Sequence, residues 1–258
     1  MTIQENVSIE KINTIALEAG KKILEIYQEH ADLDTITELK KDNSPLTLAD
    51  QAAHTIISER LQALYPHIPV LSEEGKHTDY EIRKNWDTFW LVDPLDGTKE
   101  FIKRNGEFTV NIALIHNTIP VLGVIYAPVW DLLYYGMADH GAFREIPGQA
   151  AVALQVNRKL KLLTAVGSRS HAEPAETQVL NRYDISSTTS IGSSLKFCLI
   201  AEGKADIYYR HGPTMEWDTA AGQAIVQAAG GRVTDNAGNI FTYNKPSLLN
   251  SSFLCRGF

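Results

Sequence analysis

Two carboxylates directly after an apolar segment constrain this chain more than any other feature. Asp93 and Asp96 follow residues 89–92, with Pro94 between them and Gly97 directly after. The apolar segment predicts a buried strand, while the proline and the glycine favour a tight bend at its end. Two carboxylates held close repel each other, and a bound divalent cation relieves that repulsion. The pattern therefore predicts a metal-binding loop, although a plain turn or a helix cap would use the same residues.

The composition is that of an ordinary globular protein and argues against several classes of function. Of the 258 residues, 44% are hydrophobic and 21% are charged, which is enough to bury a large core. The net charge of -7 and the absence of a basic block argue against binding of a nucleic acid polymer. No window approaches the roughly 18 consecutive apolar residues of a membrane span, and the charged N-terminus does not resemble a signal peptide. Cys198 and Cys255 make no metal-type pair, so we expect buried thiols and a cytoplasmic location.

The spacing of apolar residues predicts two N-terminal helices and an antiparallel sheet, followed by alternating strands and helices. The predicted helices cover residues 12–27, 52–64, 194–202 and 218–229. The predicted strands cover residues 68–71, 89–92, 108–115, 121–127, 132–135, 162–166 and 207–209. We therefore expect an α+β or α/β fold that forms one compact catalytic unit over residues 1–258. An N-terminal α+β half (1–158) would carry the metal loop, and a C-terminal α/β half (159–258) would form a cleft with it.

Further acidic residues recur where strands end or helices begin. Glu73 and Glu74 follow a predicted strand, and Asp218 opens the predicted alanine-rich helix. Asp50 lies in the first turn of the second helix, where Thr47-x-x-Asp50 also matches a capping box. Each acid taken alone is well explained as a cap or as a solvated surface residue. As a set, together with the first two carboxylates, they favour one shared site.

Several motifs carry a resemblance to a known family. The chain contains three motifs in this order: L-S-E-E-G, W-L-V-D-P-L-D-G-T-K-E-F and W-D-T-A-A-G. In these motifs it resembles the inositol monophosphatase superfamily of magnesium-dependent, lithium-sensitive phosphatases. The chain also contains G-E-F-T-V-N-I-A-L-I, S-R-S-H and G-S-S-L-K-F-C-L-I-A-E-G-K-A-D. These motifs resemble one branch of the superfamily, the bacterial CysQ-type 3'(2'),5'-bisphosphate nucleotidases. The resemblance runs from about the first helix to the end of the chain.

The resemblance implies a layered αβαβα sandwich and a phosphatase that uses two or three Mg²⁺ ions. It assigns as magnesium ligands the side chains of Glu73, Asp93, Asp96 and Asp218 and the backbone carbonyl of Leu95. It assigns catalytic roles to Glu73, Thr98 and Asp50, with Asp50 near a further, weaker magnesium ion and beside the Thr98 hydroxyl. Carboxylate and carbonyl oxygens are the hard ligands that Mg²⁺ prefers, and no cluster of histidines or cysteines points to zinc.

The same residues suit hydrolysis of a phosphate monoester, a reaction that needs large stabilisation of its transition state. Two metal ions can bind the attacking and leaving oxygens, while Glu73 and the Thr98 hydroxyl orient a water molecule or accept its proton. Backbone N–H groups around Gly97 and Thr98 can cradle phosphate oxygens, because glycine permits a close approach. Such a mechanism needs no covalent phosphoenzyme.

Cationic residues distinguish a substrate with two phosphates from inositol monophosphate. Arg169, His171, Lys196 and Arg210 are available for a second phosphate. The resemblance assigns substrate contacts to Glu73, Leu95, Asp96, Gly97, Thr98, His171, Ser193, Lys196, Arg210 and Asp218, with Gly192 and Ser194 nearby. Taken alone, Lys196 is typical of an exposed helix lysine and His171 of a structural histidine. Their occurrence together with the acidic motifs favours the substrate interpretation.

The resemblance therefore implies a phosphoric monoester hydrolase, a 3'(2'),5'-bisphosphate nucleotidase linked to sulfate assimilation. It would remove the 3'-phosphate of adenosine 3',5'-bisphosphate to give AMP, or that of 3'-phosphoadenylyl sulfate to give adenylyl sulfate. Two alternatives stay open: an inositol monophosphate or sugar phosphatase of the same superfamily, and a non-enzymatic module that senses a metal or a nucleotide. The expected partner is the small-molecule nucleotide, bound by a cytoplasmic monomer or homodimer. Peripheral association with the cytoplasmic face of the inner membrane also stays open.

Overall fold

The structure, a computed structural model, describes residues 7–29, 37–39, 45–76, 78–170 and 173–258. Its helices are α1 (Ile9–Glu29), α2 (Leu48–Leu64), α3 (Tyr80–Arg83), α4 (Thr98–Ile102), α5 (Pro174–Leu180), α6 (Leu195–Ala201) and α7 (Glu216–Ala228), with a 3-10 turn at Pro128–Trp130. Its strands are β1 (Thr37–Leu39), β2 (Pro45–Thr47), β3 (Val70–Ser72), β4 (Thr88–Asp96), β5 (Thr109–His116), β6 (Ile119–Ala127), β7 (Leu132–Met137), β8 (Gly141–Glu145), β9 (Val152–Leu154), β10 (Leu163–Ser168), β11 (Ile185–Ile191), β12 (Ile207–Arg210), β13 (Arg232–Asp235) and β14 (Phe253–Arg256).

A seven-stranded sheet in the order β3-β4-β5-β6-β7-β8-β9 is built from the N-terminal part of the chain. Strands β3 and β4 pair in parallel, and the other neighbours pair antiparallel. Residues 89–92 of β4 are continuously apolar, because successive side chains face opposite sides of the sheet and both sides are covered. Trp90 and Val92 pack in the core shared with α1 and α2, while Phe89 and Leu91 pack in the core shared with α7.

A five-stranded mixed sheet in the order β11-β10-β12-β14-β13 follows. Helices α6 and α7 lie between the two sheets, with α7 against β5, β6 and β7 on one side and against β13 on the other. A Cβ atom at Gly123 of β6 would lie 2.3 Å from the Ala221 carbonyl oxygen, so α7 requires a glycine there to approach this closely. Helices α1 and α2 cover the outer face of the larger sheet, and α5 lies beside β12. These layers confirm the expected α/β sandwich.

The predicted elements differ from the structure mainly in their ends. Strand β4 continues through Asp96 instead of ending at residue 92, and α2 begins at Leu48 instead of residue 52. Asn117 and Thr118 join β5 to β6, and both have the positive φ that a two-residue type I′ turn requires. The sequence patterns do not predict the shorter elements, because three to seven residues give little periodicity. These elements are β1, β2, α3, α4, β8, β9, α5, β11, β13 and β14.

Two smaller expectations concern the cysteines and the membrane. Cys198 and Cys255 are both buried free thiols, as expected. No helix in the described ranges has the length and the apolar character needed to cross a membrane. The side chain of Thr47, which completes the predicted capping box with Asp50, lies outside the described residues.

Candidate active site

A cleft of about 690 Å³ opens where the end of β4 meets β12 and the first residues of α6 and α7. Its walls bring together most of the residues selected from the sequence: Glu73, Asp93, Leu95, Asp96, Gly97, Thr98, Ser193, Lys196, Arg210 and Asp218. Asp50 is fully buried and is not part of this lining. His171 lies outside the described residues, so its proposed substrate contact stays a prediction.

The bend expected from Pro94 and Gly97 is made at Gly97 and not at the proline. The pairing of β4 with β5 is irregular between Asp93 and Asp96, and the strand continues through the proline. The N–H of Leu95 donates to Oδ1 of Asp93 over 3.1 Å, which fixes that carboxylate against its own backbone. The chain changes direction at Gly97, whose φ of 94° is readily adopted only by glycine. The two aspartates therefore sit on a strand irregularity, and the glycine after them starts α4.

Asp93 is one of two carboxyl groups of the cleft whose pKa is raised well above the usual value. Its side chain is buried, and burial raises its pKa well above the ordinary value. The negative charges of Glu73, Asp96, Asp218 and Asp50, in that order, raise this pKa further. Four carboxylates thus act on the buried Asp93, which is the arrangement that a bound cation stabilises.

Asp218, at the start of α7, shows the same excess of negative charge. Burial raises its pKa well above the usual value, and Asp96 and Glu73 add to the effect. The N–H of Met215 donates to its Oδ2 over 2.8 Å and, like the charge of Lys196, opposes the increase. One hydrogen bond and one lysine do not cancel the repulsion, because the pKa remains raised.

Asp96 is held differently from its neighbours. Its Oδ2 atom accepts hydrogen bonds from the hydroxyl groups of Ser193 and Ser194, each over 2.7 Å. Ser193 has a φ of 54°, an uncommon backbone conformation for a residue other than glycine. The segment before α6 is thus bent so that two hydroxyl groups point at the same carboxylate.

Glu73 and Thr98 reach the cleft from two further parts of the chain. Glu73 follows β3, and its N–H donates to the carbonyl of Val92 over 3.1 Å, which places it beside the end of β4. Thr98 is the first residue of α4, directly after Gly97. In the part of the chain that is described, no group of three or more His, Cys, Asp or Glu side chains is already arranged as a metal cage. The acids share a cleft, and ligation would require their carboxylates to turn toward a common ion.

Lys196 forms the cationic side of the cleft. Its ammonium group donates to the carbonyls of Ser193 and Ile191 and lies 5.6 Å from the centroid of the Tyr208 ring. Burial lowers its pKa, and the positive charge of Arg210 contributes in the same direction. The negative charge of Asp96 opposes both effects. The lysine is therefore fixed in place by uncharged partners while facing the acids across the cleft.

Two arginines near the cleft are used in different ways. Arg210 is buried, lines the cleft and donates to Oε1 of the buried Glu176 over 3.3 Å. Arg169, which was one of the cations considered for a second phosphate, makes a bidentate ion pair with Glu107 over 2.5 and 2.6 Å. Arg169 is not part of the cleft lining. The structure thus brings one of the two arginines into the site.

The cleft walls also contain residues that sequence reasoning did not select. They are Lys99, Glu100, Ser168, Glu173, Phe197, Tyr208, Pro213, Thr214 and Thr219. Lys99, Glu100 and Thr219 lie in the acidic motifs, one or two positions from selected residues, so treating each motif as a unit would have included them. Glu173, Tyr208 and Pro213 carry no comparable signal, because their place in the wall follows from how the C-terminal elements pack.

Comparison with known proteins gives a consistent result. Residues 4–256 match the model of the inositol monophosphatase family. The 3'(2'),5'-bisphosphate nucleotidase CysQ of Salmonella typhimurium is 49% identical over 95% of this chain and 98% of its own length, and that of Escherichia coli strain K12 is 48% identical over the same shares. The crystal structure of CysQ from Bacteroides thetaiotaomicron is 46% identical with a TM-score of 0.83, covering 94% of each chain. The suhB protein of Bartonella henselae is 26% identical with a TM-score of 0.79, covering 96% of this chain and 93% of its own.

Proposed function

The chain belongs to the inositol monophosphatase family, and from this premise we propose that it is a 3'(2'),5'-bisphosphate nucleotidase. The reaction removes the 3'-phosphate of adenosine 3',5'-bisphosphate and gives AMP and phosphate. The observation that carries this proposal is the near-complete alignment with curated nucleotidases at 45–49% identity. The cleft supports it, because carboxylates and buried cations face each other across a space large enough for a small molecule.

A divalent metal ion fits the acidic side of this cleft. The mutual repulsion that raises the pKa values of Asp93 and Asp218 is the electrostatic condition that a bound cation relieves. All available donors are hard oxygens, which favours Mg²⁺ in two or three positions. The residues that would hold it are Glu73, Asp93, Asp96 and Asp218, with the carbonyl of Leu95. When bound, Mg²⁺ supplies charge neutralisation and lowers the pKa of a coordinated water molecule.

The remaining steps belong to the residues of the chain. Glu73 accepts a proton from the attacking water, and the Thr98 hydroxyl orients that water toward phosphorus, with the buried Asp50 as a supporting carboxylate. Backbone N–H groups at Gly97 and Thr98 donate to the phosphate oxygens. This division of work keeps the proton transfer on the acidic side of the cleft.

The cationic side of the cleft selects the substrate in this proposal. Lys196 and Arg210 bind the phosphate that is not hydrolysed, with Ser193 and His171 as further substrate contacts. A buried lysine beside a buried arginine is costly unless an anion or a local partner compensates the charge, and a second phosphate is such an anion. An inositol monophosphatase would have no equivalent use for these cations. The sulfated nucleotide as a second substrate, the link to sulfate assimilation, the cytoplasmic location and the division near residue 158 stay predictions.

Phosphate release from a matched substrate panel tests this proposal. Adenosine 3',5'-bisphosphate, 3'-AMP and inositol 1-phosphate are compared in the presence of Mg²⁺ and again after chelation. We expect the highest kcat/KM for the bisphosphate nucleotide, loss of turnover on chelation and recovery on adding Mg²⁺. Faster turnover of inositol 1-phosphate would contradict the substrate class. Tight nucleotide binding with no phosphate release from any substrate would indicate a sensing module.

A further inference from the structure

A hydrogen-bonded cluster of four side chains lies behind Asp96, and only one of them, Ser193, has a role in the proposed reaction. It consists of Thr109 and Asn111 on β5 together with Ser193 and Ser194 before α6. Thr109 and Asn111 are 0% and 1% exposed, and they lie in the motif G-E-F-T-V-N-I-A-L-I, to whose threonine and asparagine the resemblance assigns no role. Pairing of the strands explains their position, because Thr109 is the register partner of Asp96 and Asn111 that of Asp93.

All the donors that reach Asp96 from this cluster reach the same oxygen atom. The hydroxyl groups of Ser193 and Ser194 donate to Oδ2 over 2.7 Å each, and Nδ2 of Asn111 donates to it over 3.4 Å. The same Nδ2 also donates to the Ser194 hydroxyl over 2.8 Å. The cluster therefore gathers on Oδ2, and none of these hydrogen bonds uses Oδ1.

The hydroxyl groups of the cluster have fewer protons to donate than acceptors within reach. Each hydroxyl group has a single proton to donate. Ser194 lies within hydrogen-bond distance of both Asp96 Oδ2 and the carbonyl of Asp218, the latter over 2.9 Å. Thr109 likewise reaches Oδ1 of Asn111 over 2.9 Å and the Ser193 hydroxyl over 2.5 Å. The hydroxyl groups must therefore choose between partners.

Asn111 has no such choice to make. Its amide carries two N–H protons and faces two acceptors, the Ser194 hydroxyl and Asp96 Oδ2. Its own Oδ1 lies 2.9 Å from the Thr109 hydroxyl, a group that can donate to it, and this orients the amide. Both amide protons of this side chain thus have a defined acceptor, so the amide holds one geometry while the hydroxyl protons rearrange.

We propose that Asn111 is a positioning residue, which ties Oδ2 of Asp96 to the Ser194 hydroxyl and thereby leaves Oδ1 to ligate the divalent cation. The inference rests on the proposed function, because it concerns the metal that the nucleotidase would use. Carboxylates that ligate metals are held by hydrogen bonds from neighbouring residues, and loss of such partners weakens metal affinity about 10- to 100-fold. The same amide links β5 to the segment that begins α6, the helix carrying Lys196.

An alternative role for this amide is purely structural. A buried asparagine that bridges a strand and a helix stabilises the fold through its hydrogen bonds alone. In that case its removal would lower the melting temperature without changing affinity for a metal ion. The two roles therefore differ in a binding measurement made apart from turnover.

The test measures Mn²⁺ binding to metal-depleted full-length protein by electron paramagnetic resonance, with thermal unfolding recorded in chelator. Asn111→Leu removes both donors at similar volume, and Ser194→Ala breaks the cluster from the other side with a smaller risk to folding. We expect Asn111→Leu to raise the Kd for Mn²⁺ at least about tenfold. Asn13→Leu, at a buried asparagine of α1, serves as the matched control and should leave the Kd unchanged. The double variant Asn111→Leu/Ser194→Ala should have nearly the same Kd for Mn²⁺ as Asn111→Leu alone, because both changes act on one oxygen.

Each result decides between the two roles. A Kd equal to that of the unaltered protein in Asn111→Leu and Ser194→Ala, with a lower melting temperature, would overturn the proposal in favour of the structural role. Tighter Mn²⁺ binding would also overturn it, since the cluster would then compete with the ion for Asp96. If the unaltered protein binds no Mn²⁺, the metal dependence of the proposed function fails first and this inference with it.

Discussion

The two sides of the cleft treat buried charge in opposite ways. On the acidic side, the pKa values of Asp93 and Asp218 are raised by burial and by neighbouring carboxylates, so charges of one sign accumulate. On the cationic side, Lys196 donates to backbone carbonyls and lies over an aromatic ring, while Arg210 is paired with Glu176. The negative charges of the acidic side are therefore not balanced by other groups of the chain, whereas the positive charges of the cationic side largely have partners.

This difference assigns different tasks to the two sides. An incomplete cluster of carboxylates gains most from a bound ion, so it is expected to control metal affinity and turnover. Cations that are already held in place need little rearrangement to receive an anion, so they are expected to control which substrate binds. The comparison predicts that changes on the acidic side alter all substrates alike, whereas changes on the cationic side discriminate between them.

The largest expected effect follows from Asp93→Asn. Turnover should fall by more than about 100-fold for every substrate, because losing a ligand costs more than losing a residue that only supports one. Without metal, the melting temperature should be unchanged or higher. The raised pKa means that ionised Asp93 disfavours the folded state near neutral pH, and asparagine removes that charge while keeping an acceptor for the N–H of Leu95. Steady-state kinetics and thermal unfolding in chelator measure the two effects.

Asp87→Asn is the matched control for this change, because Asp87 is exposed just before the other end of β4. It should alter neither turnover nor the melting temperature. Near-normal turnover in Asp93→Asn would remove Asp93 from the ligand set. A large loss of metal-free stability would show that the carboxylate is compensated in the folded chain, and the contrast between the two sides would then fail.

How much of this could be predicted from the sequence depends on how local each feature is. The strand before Asp93 and the acids at strand and helix ends are visible because their signals lie within a few neighbouring residues. The hydrogen bonds that hold the Asp96 side chain cannot be predicted in this way. They depend on the register that sets Thr109 opposite Asp96 and on a contact with Ser194, 98 positions away in the sequence. The pairing of Arg169 with Glu107 is likewise a product of tertiary packing, which no local pattern encodes.

A smaller and more selective effect is expected from Lys196→Met. Methionine keeps much of the length and volume of the side chain but cannot bind a phosphate. For adenosine 3',5'-bisphosphate, kcat/KM should fall about 10- to 100-fold, as for loss of a hydrogen bond to a charged group. For 3'-AMP, which lacks the 5'-phosphate, kcat/KM should change little. An equal loss for both substrates would show that Lys196 acts on the carboxylates instead, which would break the division between the two sides.

The smallest effect is expected from Arg169→Gln, which marks the limit of the cationic side. The guanidinium is bound twice by Glu107 and its side chain is 44% exposed, but that of Glu107 is only 11% exposed, so the pair should contribute about 1 to 2 kcal/mol to the free energy of unfolding. We expect a decrease in melting temperature and an unchanged KM for the bisphosphate nucleotide. The control Arg60→Gln, whose ion pair with Glu18 is exposed on both sides, should also leave KM unchanged. A KM raised as far as in Lys196→Met would mean that Arg169 leaves Glu107 to bind the second phosphate. The cationic side would then include Arg169, whose ion pair with Glu107 would open when the substrate binds and form again when the product leaves.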